Sequence, residues 1–122
     1  MPASIESIHG WHAHVYYDPA ATRGVAELIR AEVAARYPEA VLGRWHDVNV
    51  GPHTQAMYQI KFENDLFPTL VPFLALNRAG LDILVHPETG DEYADHLEHA
   101  LWLGDRLAIN GSVLRRGGIN PA

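Results

Sequence analysis

"HGWHAHVYY" (residues 9–17) sets three histidines and three large aromatics into nine positions. Trp11, Ala13, Val15 and Tyr17 fall on one side of an alternating pattern, and His12, His14 and Tyr16 on the other. A period of two is the mark of a β-strand whose faces meet different surroundings. A strand that only filled a core would carry Val, Ile or Leu on both sides. One face here belongs in a core; the imidazole and phenol face belongs on the floor of a site or against a second subunit.

Working outward, "DPAATRGVAELIRAEVAARYP" follows with a helix-like apolar stripe at Val25, Leu28, Ile29, Val33 and Tyr37. Asp18 is the expected N-cap and Pro38 the stop. Residues 40–50 read as a second strand, "GPHT" (51–54) as a turn, and "TQAMYQIKFE" (54–63) as a third alternating strand hairpinned to the second. "NDLFPTLVPFLALNRAG" (64–80) reads as a second helix interrupted by Pro72, and "LDILVHP" (81–87) as a fourth strand. A short helix is expected over 93–103 and a short last strand in "DRLAINGSVL" (105–114). The order strand–helix–strand–strand–helix–strand is the split βαβ pattern. The expectation is an α+β, ferredoxin-like antiparallel sheet with its helices on one face. Residues 1–7 read as a lead, 8–114 as the domain and 115–122 as a flexible tail.

The chain of 122 residues is 48% hydrophobic and 20% charged with a net charge of −6, an ordinary globular balance. Its nine basic residues are scattered, which argues against a nucleic-acid partner. No run reaches the ~20 apolar residues of a membrane span, and the first ten residues lack the pattern of a signal peptide. A cytoplasmic protein is expected. Cysteine is absent, so thiol catalysis, iron–sulfur clusters and cysteine-based zinc sites are excluded. A metal would have to sit on histidine and carboxylate.

Eight histidines are present. His12 and His14 share one strand face with side chains roughly 6–7 Å apart. In the split βαβ topology strands one and four are antiparallel neighbours, which brings His86, at the end of strand four, beside this pair. His12, His14 and His86 are therefore the expected metal ligands. A set of nitrogen donors without cysteine suits Fe(II), with Zn(II) or Mn(II) as alternatives. His53, at the start of strand three, lies toward Tyr16, and Tyr16 is a phenol on the histidine face. Asp95 and His96 lie on the last helix, where Asp95 is placed to orient an imidazole. His9 and His46 read as surface, and Trp102 as core.

The segments "HAHVYYD" (12–18), "GPH" (51–53), "LNRAGLDILVHPETGD" (76–91), "DH" (95–96) and "ALWLG" (100–104), in this order, resemble the DOPA 4,5-dioxygenase-like family. The resemblance runs from about Ile8 to Leu114. It implies a ferredoxin-like fold, a homodimer, and extradiol opening of a catechol ring with Fe(II) and O2. It points to His12, His14, His53, His86 and His96, and we expect His53, His96 and Tyr16 to do the acid–base work. Arg78 is the candidate partner for a substrate carboxylate. Phe73 stands where the family commonly carries tryptophan, and Thr54 where proline is frequent. Two other classes compete with an enzyme. One is a dimeric ferredoxin-like module that holds a metal or small aromatic ligand without turnover. The other is a structural dimer whose histidines line a wet interface.

Overall fold

A computed structural model describes residues 2–117. Five strands, β1 (Trp11–Tyr17), β2 (Val41–Leu42), β3 (Ala56–Phe62), β4 (Ile83–Pro87) and β5 (Leu101–Leu103), form one antiparallel sheet in the order β2-β3-β1-β4-β5. The first four strands, with α1 (Arg23–Arg36) and α2 (Phe67–Asn77) between them, make the ferredoxin-like arrangement, and β5 extends the β4 edge. A third helix, α3 (Glu92–Leu97), joins β4 to β5.

The odd-numbered face of β1 enters the main core. Ala13, Val15 and Tyr17 pack with Tyr58, Ile60, Ile83 and Val85 of the flanking strands, with Ala26, Ile29 and Val33 of α1, and with Leu70, Val71 and Leu74 of α2. Both long helices thus cover one face, as the alternation requires. The even-numbered face carries a smaller apolar cluster of Tyr16, Met57 and Leu84, with Val50, Trp102, Leu107 and Ile109 against it. Helices on one face alone would leave this second face open, but it is covered. The loop through Val50–Thr54 and the segment after β4 fold over it. These two pieces are pinned together: Asn110 N–H donates to the Pro52 carbonyl (2.8 Å), and the Thr54 hydroxyl to the Ala108 carbonyl (2.8 Å). The physical reason is that Tyr16, Met57 and Leu84 are too apolar to leave in water.

Several element boundaries differ from expectation. Helix α1 begins at Arg23 rather than Pro19, because Asp18 builds a preceding turn: its carboxylate accepts from Ala20 N–H (2.9 Å) and its carbonyl from Thr22 N–H (2.8 Å). The second strand is only Val41–Leu42, plus an isolated bridge between His46 and Met57. "ALWLG" is not helical; Leu101–Leu103 pair with Ile83–Val85, since the β4 edge offers hydrogen bonds the helix would forgo. The expected last strand reduces to an Ile109–His53 bridge and a 3-10 turn at Gly111–Val113. That turn lies hard against α3: a side chain at Gly111 would meet Leu97 at 2.6 Å and Tyr93 at 2.8 Å. Of the expected tail, residues 118–122 lie outside the described residues. Its first part is tied to α3, with the Arg115 carbonyl accepting from Tyr93 N–H (3.0 Å) and Arg116 pairing with Glu98.

Among the described residues no helix is long and apolar enough to cross a membrane. Ile60 on the central sheet is fully buried, whereas Leu28 on α1 is 71% exposed. Ile60→Ala is expected to cost roughly 2–5 kcal/mol of unfolding free energy by chemical denaturation, and Leu28→Ala less than about 0.5 kcal/mol.

Candidate metal centre

Strand register builds the site. His12 and His86 are direct cross-strand partners, and His14 lies opposite Leu84 on the same sheet face. On the other side His12 faces Lys61 and His14 faces Gln59. The ring centroids of His12 and His14 are 6.0 Å apart, and those of His12 and His86, and of His14 and His86, 5.1 Å. The remaining two rings come from the cover. His53 follows the cis Gly51–Pro52 bond and lies 4.3 Å from His14, while His96 of α3 lies 4.0 Å from His86. Five of the eight histidines thus share one chamber. His86 (2% exposed), His14 (3%), His53 (6%) and His96 (7%) are closed off from water, and His12 sits at the rim.

Hydrogen bonds decide which ring atom is available. Nδ1 of His86 faces the Pro87 carbonyl (3.0 Å), and Nδ1 of His96 faces the Glu92 carbonyl (2.8 Å). A carbonyl only accepts, so both rings carry their proton on Nδ1 and present a lone pair at Nε2. Nε2 of His86 stands 3.1 Å from Nε2 of His14. Two cis ligands on an octahedral ion with bonds of about 2.1 Å are roughly 3.0 Å apart, so this separation suits a shared cation. His53 differs: its Nδ1 meets the Tyr16 hydroxyl at 2.7 Å. Burial raises the Tyr16 pKa, so the phenol keeps its proton.

Two sets of three rings lie close enough to hold an ion, His12–His14–His86 and His14–His53–His96, with His14 in both. Nδ1 of His14 is the one buried side-chain nitrogen or oxygen without a hydrogen-bond partner among the described residues. His14 is thus incompletely satisfied by the protein, and a group of neutral imidazoles with converging nitrogens is matched to a cation that takes several lone pairs at once. Burial also holds the rings neutral, as metal ligands must be. It pushes His14 and His86 well below the ordinary histidine value, with the other imidazoles adding to the effect. His53 is pushed down to about 4, first by burial and then by His96, and His96 is lowered by burial.

A cleft of about 480 Å³ opens onto these rings. Its walls include Val50, Pro52, Met57, Val113 and Leu114, with Gln59 and Glu92 as polar members. The size and the mix of apolar wall and few polar groups fit a small organic ligand. The groove between α1 and α2 is remote from this chemistry: it is lined by Val25, Leu28 and Phe73 and by none of the histidines.

The structure therefore brings His12, His14, His53, His86, His96 and Tyr16 together. It separates two expected groups, Arg78 and Asp95, from the site, and Phe73 lies away from it as well. Arg78 caps the end of α2 and donates to the Leu81 carbonyl (3.0 Å), away from the cleft. Asp95 orients no imidazole; it accepts from Thr89 N–H (2.8 Å) and the Thr89 hydroxyl (2.6 Å), fixing the β4–α3 turn. Phe73 packs on Tyr37 on the helix side. Trp102 packs in a core, as expected, and that core is the smaller cluster on the site side, where its ring stacks 6.0 Å from Tyr16. His46 lines the cleft, which the sequence did not signal. The Glu88 carboxylate, also missed, contacts Nε2 of His12; its position two residues beyond His86, on the same strand face, was the available clue.

A profile of the Dopa 4,5-dioxygenase family matches residues 11–113. The chain is 34% identical over 102 residues to an uncharacterised 21.2 kDa protein of Botryotinia fuckeliana, covering 77% of this chain and 54% of that protein. It is 31% identical over 110 residues to the DOPA 4,5-dioxygenase of Amanita muscaria, covering 84% of this chain and 48% of that enzyme. The chain thus spans about half the length of the curated relatives it matches. A crystal structure of a proposed dioxygenase from Nostoc punctiforme superposes with a TM-score of 0.88 at 50% identity, over 91% of this chain and 95% of that one.

The neutral rings have a consequence for pH. As pH falls below about 6.5, the unfolded chain takes up protons on histidine before the folded chain does, so stability is lost with acid. For His53, whose folded value is about 4, the loss accrues between pH 6.5 and 4 and amounts to roughly 3 kcal/mol. Thermal melts of the metal-free protein across this range should show a steep fall in Tm, and His53→Gln should flatten it.

Proposed function

The chain belongs to the Dopa 4,5-dioxygenase family, and from that premise we propose that it is an extradiol dioxygenase that opens a catechol ring with non-haem Fe(II) and O2. The observation that carries the reading is the chamber of five convergent histidines, four of them shut off from water, at the end of a cleft sized for a small aromatic. His12, His14 and His86 would hold the ion. This set is preferred over His14–His53–His96 because the His14 and His86 Nε2 atoms already stand at cis-ligand spacing, while His53 is engaged by Tyr16. Three neutral imidazoles without cysteine are a donor set that would suit Fe(II). When bound, Fe(II) supplies the redox chemistry that lets O2 react with a catecholate.

The protein's part is to bind, orient and move protons. Val50, Pro52, Met57 and Leu114 give a planar ring apolar walls, and with Val113 they keep water from the reacting end. His96 presents a lone pair at Nε2 and takes a proton from a catechol hydroxyl. His53 is its complement. We assign the Tyr16 O–H, 2.7 Å from Nδ1, as the donor, which puts the His53 ring proton on Nε2 as a hydrogen-bond donor to the ligand. Lowered folded-state pKa values keep both rings neutral at rest, so His96 is present as a base, and once it carries the catechol proton its imidazolium is a strong acid that gives that proton back. The substrate is a dihydroxyphenyl compound, with DOPA one member of the class.

Anaerobic loading with Fe(II), followed by L-DOPA or caffeate and air, is expected to give a yellow ring-opened semialdehyde with one O2 consumed per turnover. His86→Gln should abolish both colour and oxygen uptake. His53→Gln should keep the iron and lower kcat by about 10²-fold or more. Bound iron with no oxygen uptake from any catechol tested would instead favour a module that binds without turnover.

A further inference from the structure

We propose that Glu88 is a positioning residue of this centre: its carboxylate holds the Nε2–H of His12 and leaves Nδ1 of that ring to bind the cation. The inference rests on the reading above that His12, His14 and His86 form the binding set.

Three observations lead here. First, Glu88 is rigidly placed. Its N–H donates to the Gly10 carbonyl (2.9 Å), and its carbonyl accepts from His9 N–H (2.9 Å), so the β1–β4 ladder extends past Pro87. Two residues on from His86, it projects from the same sheet face and lies diagonal to His12, within reach of a long side chain. Second, its carboxylate pairs with Nε2 of His12 rather than with solvent alone. An ionised carboxylate only accepts, so a neutral His12 carries its proton on Nε2 and its lone pair on Nδ1. His86 is arranged the other way round, with Nδ1 committed to the Pro87 carbonyl and Nε2 free. Third, Glu88 is the only carboxylate among the described residues whose side chain bonds to any of the five rings. Three neutral imidazoles contribute no negative charge to offset a divalent ion, and Lys61 stands directly across from His12. Glu88 thus supplies both the orientation of the rim ligand and the charge balance that the buried rings lack.

The test uses Zn2+ as a diamagnetic probe and competition titration against a chelator of known affinity. Relative to the unaltered chain, Glu88→Ala is expected to weaken Zn2+ binding 10–100-fold, and Glu88→Gln, which keeps an acceptor for the His12 N–H but not the charge, by less. Histidine 15N correlation spectra of the zinc-loaded protein should show His12 bound through Nδ1 with a proton on Nε2, and His86 bound through Nε2. That His12 signature should be lost in Glu88→Ala, whose fold is checked by its melting curve; the Gln variant serves if the Ala variant does not fold. Unchanged zinc affinity in Glu88→Ala, or His12 bound through Nε2, overturns the inference. His12→Ala separates the two levels. If it weakens binding while Glu88→Ala does not, only the role of Glu88 falls; if neither matters, the three-histidine set falls as well.

Discussion

The register of β1 between β3 and β4 is the constraint on which the rest depends. Because side chains alternate along a strand, a slip of one residue against either neighbour would exchange the two faces of β1. His14 would enter the helix-side core and Val15 would stand among imidazoles. The register is held by burial: Ala13, Val15 and Tyr17 on one face meet Tyr58, Ile60, Ile83 and Val85, and each large apolar side chain is worth about 1.5–3 kcal/mol when fully buried. The helix-side core therefore fixes, through the sheet, that His12 stands opposite His86. Site geometry is a by-product of packing on the far face.

What the buried rings can do follows from the partners of their second nitrogens. Main-chain carbonyls hold the Nδ1 protons of His86 and His96, and these carbonyls belong to the chain's own next residue and to the preceding helical turn. Each ring is thus oriented locally, by backbone that the fold has already placed. His53 is set by a side chain, and that side chain is the third member of the His12–His14–Tyr16 face. The same strand that supplies candidate ligands supplies the phenol that holds Nδ1 of His53. Roles for chemically identical side chains are separated by what lies behind them, and desolvation keeps all of them uncharged.

The strand faces, the split βαβ order and the approach of His86 to His12 and His14 were legible because they rest on period-two alternation and on neighbour relations that the topology dictates. The placement of His53 near Tyr16 followed in the same way from antiparallel pairing. Illegible were features that depend on segments without periodicity. "ALWLG" has the apolar content of a helix end, and only the free edge of β4 makes it a strand. The cover over the histidine face comes from the Val50–Thr54 loop and residues beyond α3, whose course is set by a few hydrogen bonds such as Thr54 to Ala108. Arg78 and Asp95 were plausible by residue type, yet Arg78 is drawn to a helix-end carbonyl and Asp95 to a turn. Glu88 sits in an alternating stretch and was overlooked because Pro87 masks the continuation of the ladder.

Access to the centre is set by this division between sheet and cover. The floor, His12, His14 and His86, lies on the three-strand centre of the sheet, where each strand is hydrogen-bonded on both sides. The roof is lighter. Helix α3 has six residues, held by the Asp91 side chain accepting from Ala94 N–H (2.9 Å), by the Asp95–Thr89 pair and by close contact with Gly111. Short helices have little stability of their own, so the position of His96 depends on those anchors rather than on α3 itself. The cleft lies between this roof and the Val50–His53 loop. Any ligand that reaches the rings must pass two segments of low local stability, while the rings that would hold a cation stay on the most stable part of the fold. On the proposed reading, ion retention and substrate exchange would fall to different parts of the fold.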